Sequence, residues 1–186
     1  MKKFLIVALV LLMVPVAIFA KGFSFGVGAT ATTGATINGV MENGLSNVKP
    51  ENFGYGAYAN VKLAFVSVNA TAFPKFAKDE PMVFFGDISA NLAFDIIIVR
   101  VQAGLSVNYY GSTDFKNTFE VHFENEDIRD ASLNVRAEVD LLLGDLNVGV
   151  WGILPTTATL NTLNKILDVQ DRWQDASLGL SVGYCF

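Results

Sequence analysis

The only histidine of the chain stands among acidic residues that could assist it in proton transfer. His122 is preceded by Glu120 and followed by Glu124, so these side chains could supply a general base and a carboxylate that orients it. No motif marks a nucleophile, however, and the segment 119–123 alternates between apolar and polar residues. Because alternation is typical of a strand, a hairpin explains this segment at least as well, and we predict no catalytic residue.

A second feature that could do chemistry is an acidic cluster just beyond the histidine. Glu124, Glu126 and Asp127 could hold a divalent cation through their carboxylates. They lack the complete pattern of a calcium-binding loop, and runs of charge usually form solvated surface. We therefore predict no metal site and no cofactor.

The elements that must position these residues are extended strands, and the stretch 130–153 shows the pattern most clearly. The odd positions from Ala131 to Leu143 are apolar, and polar residues stand between them up to position 140. This pattern indicates a strand with one apolar face. After Gly144-Asp145 the apolar residues move to even positions. A two-residue hairpin loop places residues i and i+3 on one face, so the change of parity predicts a tight turn there.

Weaker copies of this pattern extend over the rest of the chain and predict eight strands. Their ranges are 22–32, 53–63, 66–74, 82–94, 97–109, 131–143, 146–155 and 173–186. Changes of parity also predict tight turns at 64–65 and 95–96, while Pro74 and Pro155 are expected to end their strands. Long loops join the remaining ends, at 33–52, 75–80, 111–129 and 156–172. All tight turns then lie on the side of the two termini.

The last of these loops contains apolar residues at helical spacing. Leu160, Leu163, Ile166 and Leu167 could share one face, which predicts a short amphipathic helix.

Charged residues within the strands fall only on the face opposite the apolar one. This polar face consists mainly of Gly, Ser, Asn and Thr, and its charges are nearly balanced in sign, as expected of a buried and mutually paired set. On an apolar face turned to lipid, one Arg or Lys at the bilayer midplane would cost about 2–4 kcal/mol. The charged positions are Lys62, Asp87, Arg100, Arg136, Glu138, Asp140 and Asp175.

Residues 1–20 are predicted to be a secretory signal, because Lys2 and Lys3 precede an uncharged apolar run and Ala20 stands before Lys21. A retained membrane anchor is the alternative, although the run is short for a span. Without Lys2 and Lys3 the chain holds 11 basic and 18 acidic residues, a formal charge of −7, so nucleic acid is not an expected partner. Cys185 is the only cysteine, which excludes an intramolecular disulfide.

Two architectures fit an exported chain with this alternation: a soluble barrel with its apolar face inside, and a membrane barrel with its apolar face outside. A soluble barrel should have a polar face rich in Lys and Glu, which this one is not. Aromatic residues also gather near both ends of the strands, as in the two interfacial girdles of membrane barrels. They are Phe23, Phe65, Phe94, Tyr184 and Phe186 near the tight turns, and Tyr55, Phe84 and Tyr109 near the loops.

With a signal segment, eight alternating strands, tight turns beside the termini and a last strand ending in Tyr184-Cys185-Phe186, the chain resembles the small bacterial outer-membrane barrels of the OmpA/OmpX type. The resemblance covers residues 21–186, is architectural and carries no subfamily signature. It implies an all-β fold, an eight-stranded antiparallel up-and-down transmembrane β-barrel in the cell outer membrane. In this family the final aromatic residue belongs to the signal read by the barrel-assembly machinery, which implies that role for Tyr184 and Phe186.

An eight-stranded barrel is just wide enough for side chains to fill it. We therefore predict an ion-pair network that closes the lumen, formed by Lys62, Asp87, Arg100, Arg136, Glu138 and Asp140. The expected protein is a non-enzymatic monomer in outer-membrane lipid, whose long surface loops have a structural or interaction role with a surface or envelope partner. Three alternatives stay open: a narrow ion or small-solute channel, a soluble lipocalin-like carrier of a small apolar ligand, and an enzyme that modifies lipid A.

Overall fold

A computed structural model of the chain describes residues 22–36, 53–75, 82–114, 118–123, 128–166 and 172–186. The predicted signal segment and parts of every predicted long loop lie outside the described residues. The described strands are β1 (Phe23–Thr36), β2 (Phe53–Leu63), β3 (Val66–Lys75), β4 (Met82–Ile96), β5 (Val99–Asp114), β6 (Thr118–Phe123), β7 (Leu133–Leu143), β8 (Leu146–Pro155) and β9 (Ser177–Cys185). Short 3₁₀ helices cover Ile128–Asp130, Leu160–Lys165 and Trp173–Asp175.

The strands form one antiparallel sheet that closes on itself. Its order is β4-β3-β2-β1-β9-β8-β7-β5, and β5 pairs in turn with β4. The first and last strands meet through the pairing of β1 with β9. With β6 set aside, strands that follow each other in the chain are neighbours in the ring. The predicted closed eight-stranded up-and-down barrel is therefore confirmed.

The strand β6 lies outside this ring. The edge of β5 pairs with β7 from Val99 to Val107 and with β6 from Tyr109 to Asp114. Because β4 also pairs with this upper part of β5, the three strands β4, β5 and β6 extend one side of the barrel beyond the β5–β7 pairing. The prediction of a loop over 111–129 is wrong here, whereas the hairpin explanation of 119–123 is confirmed.

Alternation sorts the side chains into a buried inner face and an exposed outer face. On β3, for example, Ser67 and Asn69 are at most 2% exposed, while Val66 and Val68 are more than 40% exposed. The outer face is apolar and the inner face is polar, so the soluble lipocalin-like alternative, which needs the reverse, is wrong. Outward apolar residues include Phe23, Phe25, Val27, Val61, Leu63, Leu92, Phe94, Val101, Val139, Leu141, Val150, Leu180 and Val182.

Two of the tight turns lie where they are predicted, at 64–65 and 144–145, but the third is two residues later than predicted. It is formed by Ile97 and Ile98, between the paired residues Ile96 and Val99. A change of parity locates a hairpin only to within a multiple of two residues, and neither isoleucine is a typical turn former. As a result Asp95, predicted to be in the turn, belongs to β4.

Other predictions also differ from the structure in detail. β1 continues to Thr36, past its predicted end at 32, and β7 begins at Leu133 and not at 131. β9 begins at Ser177, because 173–175 forms a 3₁₀ helix, so Asp175 is not on a strand. Pro74 does not end β3, which continues to Lys75. The pairing of β3 with β2 ends at Ala72. Pro74 therefore lies where this edge of β3 has no partner strand, and its missing N–H costs no ladder hydrogen bond.

In place of the predicted amphipathic helix, Leu160–Lys165 forms 3₁₀ turns that are interrupted by a kink at Thr162, and none of these residues is buried. Leu160 and Leu163 are about half exposed, and Leu167 lies outside the described residues. No helix in the described part of the chain has the length and apolar character needed to cross a membrane.

Each tight turn begins with a residue in the left-handed region, with φ of 58° at Ala64, 57° at Ile97 and 68° at Gly144. Only glycine adopts this conformation without strain, and asparagine tolerates it better than a β-branched residue does. The isoleucine is therefore the least suitable of the three. At 93% exposure its side chain gains little packing in return.

We expect Ile97→Asn to raise the free energy of unfolding by about 1 kcal/mol, because it relieves left-handed strain. Urea titration of protein refolded in detergent micelles measures the change. Ile98→Asn is the matched control, since Ile98 is also exposed but has no positive φ. Equal effects of the two substitutions would show that polarity, and not backbone strain, sets the stability of this turn.

Candidate functional site

The barrel interior holds all six residues of the predicted ion-pair network. Even positions of β2, β5 and β7 and odd positions of β4 point inward, because paired residues of neighbouring strands share a face. Every member of the set is at most 6% exposed. They are Lys62, Asp87, Arg100, Arg136, Glu138 and Asp140. The structure divides them into separate groups at different depths.

The turn-end cluster consists of Lys62, Asp95 and Arg100. Asp95 accepts a hydrogen bond from Lys62 Nζ at 2.8 Å and from Arg100 Nε at 2.7 Å, so one carboxylate serves two cations. Asp95 and Arg100 are register partners on β4 and β5. The side chain of Asp95 is 32% exposed, against 8% for Lys62 and 6% for Arg100. Asp95 is absent from the predicted ion-pair network, because the predicted turn at 95–96 includes it.

The central cluster consists of Asp87, Arg136 and Glu138. Arg136 Nη1 donates to both carboxylate oxygens of Asp87, at 3.0 and 2.8 Å, and Nη2 donates to Glu138 Oε2 at 3.0 Å. Because β4 and β7 are separated by β5, the contact with Asp87 reaches past an entire strand. All three side chains are at most 3% exposed. Such a desolvated set is stable only when each charge keeps its partner.

Neutral polar groups complete the shell of the central cluster. Asn69 donates to Glu138 Oε2 at 2.8 Å, Ser181 donates to Glu138 Oε1 at 3.2 Å, and Thr71 donates to Asp87. The ring of Trp151 lies 4.8 Å from the Arg136 guanidinium carbon, in cation–π geometry.

Asp140 differs from the other five predicted residues. Its Oδ2 accepts a hydrogen bond from Gln102 Nε2 at 2.7 Å, while its Oδ1 is buried without a hydrogen-bond partner. Among the described residues it forms no ion pair, and its carboxyl group lies beside that of Glu138 in the central cluster. Sequence alternation shows that a charge faces inward but not which charges meet.

Small residues on the inner face make room for the bulky ones. A Cβ atom added to Gly179 would lie 2.2 Å from Trp151 Cζ2, and one added to Gly183 would lie 2.1 Å from the hydroxyl of Tyr58. The rings therefore pack directly against the glycine backbone of β9. Such contacts account for glycines on the face that the sequence shows as polar.

Above these clusters the barrel opens into a mouth cavity of ≈510 Å³. Its lining comes from the loop-side ends of the ring strands and includes three aromatic rings, those of Phe73, Phe85 and Trp151. The ring centroids of Phe73 and Phe85 are 5.3 Å apart, and those of Phe73 and Trp151 are 6.3 Å apart. None of the three rings was predicted to line a site. In a sequence, an inward aromatic residue cannot be told apart from the apolar residues that face outward.

The predicted assembly residues lie at the opposite end of the barrel. Tyr184 donates a hydrogen bond to Asp145 at 3.0 Å, and its ring centroid lies 5.0 Å from that of Phe186. The backbone N–H of Phe186 donates to the carbonyl of Phe25 at 2.8 Å. Both aromatic side chains are exposed, by 47% for Tyr184 and 72% for Phe186. The C-terminus is thus tied to β1 while its rings stay accessible from outside.

Only some of the candidate catalytic and metal-binding residues belong to the described part of the chain. His122 and Glu120 belong to β6, opposite Tyr110 and Ser112 of β5, whereas Glu124, Glu126 and Asp127 lie outside the described residues. Within the part of the chain that the structure describes, no group of three or more His, Cys, Asp or Glu residues is placed to hold a metal ion. The thiol of Cys185 is free and half-buried.

No protein-family model and no curated protein matches this chain. Solved structures that are similar to it include those of two proteins. Neisserial surface protein A (NspA) has 14% sequence identity and a TM-score of 0.39, with 88% of this chain and 94% of that chain covered. Ail, the attachment invasion locus protein of Yersinia pestis, was solved with the heparin analogue sucrose octasulfate; it has 12% identity and a TM-score of 0.40, with 89% and 99% covered. Similarity at this level carries no argument about function.

We expect Arg136→Met to lower the free energy of unfolding by about 3–5 kcal/mol, because it leaves Asp87 and Glu138 buried without their cation. Adding Asp87→Asn and Glu138→Gln to the same chain should recover much of the loss, since no uncompensated charge then remains. Urea titration of the refolded variants in micelles measures both effects. Lys75→Met, which removes a positive charge at an exposed position, is the control. A triple variant no more stable than Arg136→Met would show that packing, and not charge, holds this cluster.

Proposed function

We propose that this chain is an integral protein of the bacterial outer membrane with a structural or surface-interaction role, and that its lumen is closed by side chains. The observation that carries the proposal is the inverted distribution of polarity. Charged residues are buried inside the ring, while a continuous apolar surface faces outward. In water, this apolar surface would be exposed at a cost in free energy, whereas lipid is an apolar solvent that can cover it.

The dimensions of the barrel support a membrane location. β2 and β7 have 11 residues, β8 has 10 and β9 has 9, which agrees with the 9–11 residues or so that a tilted strand needs to cross a bilayer. Outward positions of these strands carry no charged residue. Every ring strand is also paired with both of its neighbours, so the sheet closes without an edge strand, as spanning β-structure requires.

Insertion would proceed through export by segment 1–20 and recognition of the C-terminal strand by the barrel-assembly machinery. The exposed rings of Tyr184 and Phe186 support that recognition, because they are accessible on an ordered strand end. The inserted protein is a monomer in outer-membrane lipid. Its long connections all lie at the end opposite the tight turns, where they meet a surface or envelope partner.

The contents of the interior support a closed lumen. Arg136 spans from β7 to Asp87 on β4, and the rings of Tyr58 and Trp151 lie against the glycine backbone of β9. An ion crossing this region would have to separate a desolvated ion pair. Solvated channels occur in barrels with many more strands than this one has.

The membrane location is tested by gel mobility of the refolded 21–186 chain, with and without boiling, beside its behaviour in detergent-free buffer. We expect folded protein only in detergent or lipid, running as a compact band that boiling converts to a slower one. Protein that is monomeric, folded and soluble without detergent would overturn the proposal.

The closed lumen is tested separately by planar-bilayer recording. We expect no unitary current steps from protein shown to be heat-modifiable, while a larger porin added to the same bilayer serves as positive control. Reproducible steps of one size from the folded protein would contradict closure and favour the narrow-channel alternative.

A further inference from the structure

The mouth cavity has the size and shape of a small-molecule site. Its ≈510 Å³ fall within the roughly 300–1,000 Å³ of typical ligand pockets. Most of its lining comes from the upper ends of the ring strands, and Asp175 of the 3₁₀ helix before β9 adds a carboxylate. Two of its rings are almost fully buried, Phe73 at 3% and Trp151 at 2% exposure, so they form a fixed apolar floor.

Phe85 is the observation that points to a ligand. Its register partner on β3 is Phe73, so Phe85 is turned to the interior and not to lipid. It is nevertheless 47% exposed, standing at the cavity wall and stacked on Phe73. The exposed part of this ring offers a flat apolar surface on which the ring of a ligand can stack. Neither the core nor the membrane covers this ring.

The charges around the cavity favour a cation as the occupant. Asp87 also lines the cavity, but both its oxygens are engaged by Arg136 and one of them by Thr71. Asp175 lines it as well, is exposed and has no described partner. Among the described lining residues none is Lys or Arg. An anion would therefore be repelled by the Asp175 carboxylate with no described cation in the lining to balance it, whereas a cation could pair with Asp175.

Hydrogen-bonding groups complete the lining. Asn134 donates to Asn108 at 3.1 Å, which leaves further amide positions of both residues to meet a polar substituent. Thr32 and Ser177 contribute hydroxyl groups on the opposite wall. A flat apolar body with one polar or charged end fits these surroundings better than a uniformly polar molecule.

We propose that the mouth cavity binds a small organic cation with an aromatic ring, the ring against Phe85 and Phe73 and the ammonium group beside Asp175. This deepens the proposed function and rests on it, since it names the ligand class that the outward-facing end of the barrel accepts. No covalent step is involved.

The test compares three probes with one ring and one chain length: 3-phenylpropylamine, 3-phenylpropan-1-ol and 3-phenylpropanoate. The 21–186 chain is inserted in nanodiscs of zwitterionic lipid, and binding is measured by saturation-transfer NMR with empty nanodiscs subtracted. We expect the amine to bind most tightly and the propanoate most weakly. Asp175→Asn should weaken the amine about two- to fivefold and leave the alcohol unchanged, as loss of one exposed charge contact predicts.

Phe85→Ala should weaken the amine and the alcohol alike, by about fivefold, because the ring contributes to both. Asp145→Asn, which removes the same charge at the tight-turn end, is the matched control and should change nothing. The inference is overturned if no probe binds folded protein at millimolar concentration, if the propanoate binds best, or if Phe85→Ala leaves affinity unchanged. Failure of the chain to insert in nanodiscs would instead overturn the proposed function itself, before any probe is added.

Discussion

The closed ring of eight strands is the constraint on which the rest of this structure depends. Once the sheet closes, every second residue points into a space that neither water nor lipid can fill freely. Each inward side chain must then fit its neighbours by volume and satisfy them by charge. The contact of Arg136 with Asp87 meets both demands, because it occupies the lumen and neutralises two groups that could not be buried singly.

Much of the architecture could be predicted from the sequence, because alternation and changes of parity depend only on neighbouring residues. The inner and outer faces and the turns at 64–65 and 144–145 are examples. The turn at Ile97-Ile98 could not be located, since a shift by two residues preserves parity. For the same reason Asp95, which serves both cations of the turn-end cluster, was lost from the predicted network.

The site was less predictable than the fold, because some of its ion pairs join residues on strands that are not adjacent. Lys62 meets Asp95 and Arg136 meets Asp87 across an intervening strand, and alternation carries no information on such pairs. Asp140, of the same residue type and on the same face, meets no cation in the described structure. Likewise the ring of Trp151 fits inside the barrel because Gly179 has no side chain, and these two residues are far apart in the sequence.

Because the strands differ in length, the barrel wall is higher on one side of the loop end than on the other. From Val107 to Asp114, β5 continues beyond its pairing with β7, and at a rise of about 3.3 Å per residue this adds roughly 20 Å of three-stranded ribbon. The headgroup layer on one side of a bilayer is only about 5–8 Å deep. In the proposed membrane location, with the bilayer boundary at the end of the β5–β7 pairing, the ribbon of β4, β5 and β6 would project past the headgroups on one side of the mouth. Among the described residues, the backbone of this ribbon would then be the part of the barrel wall most accessible to a protease from outside.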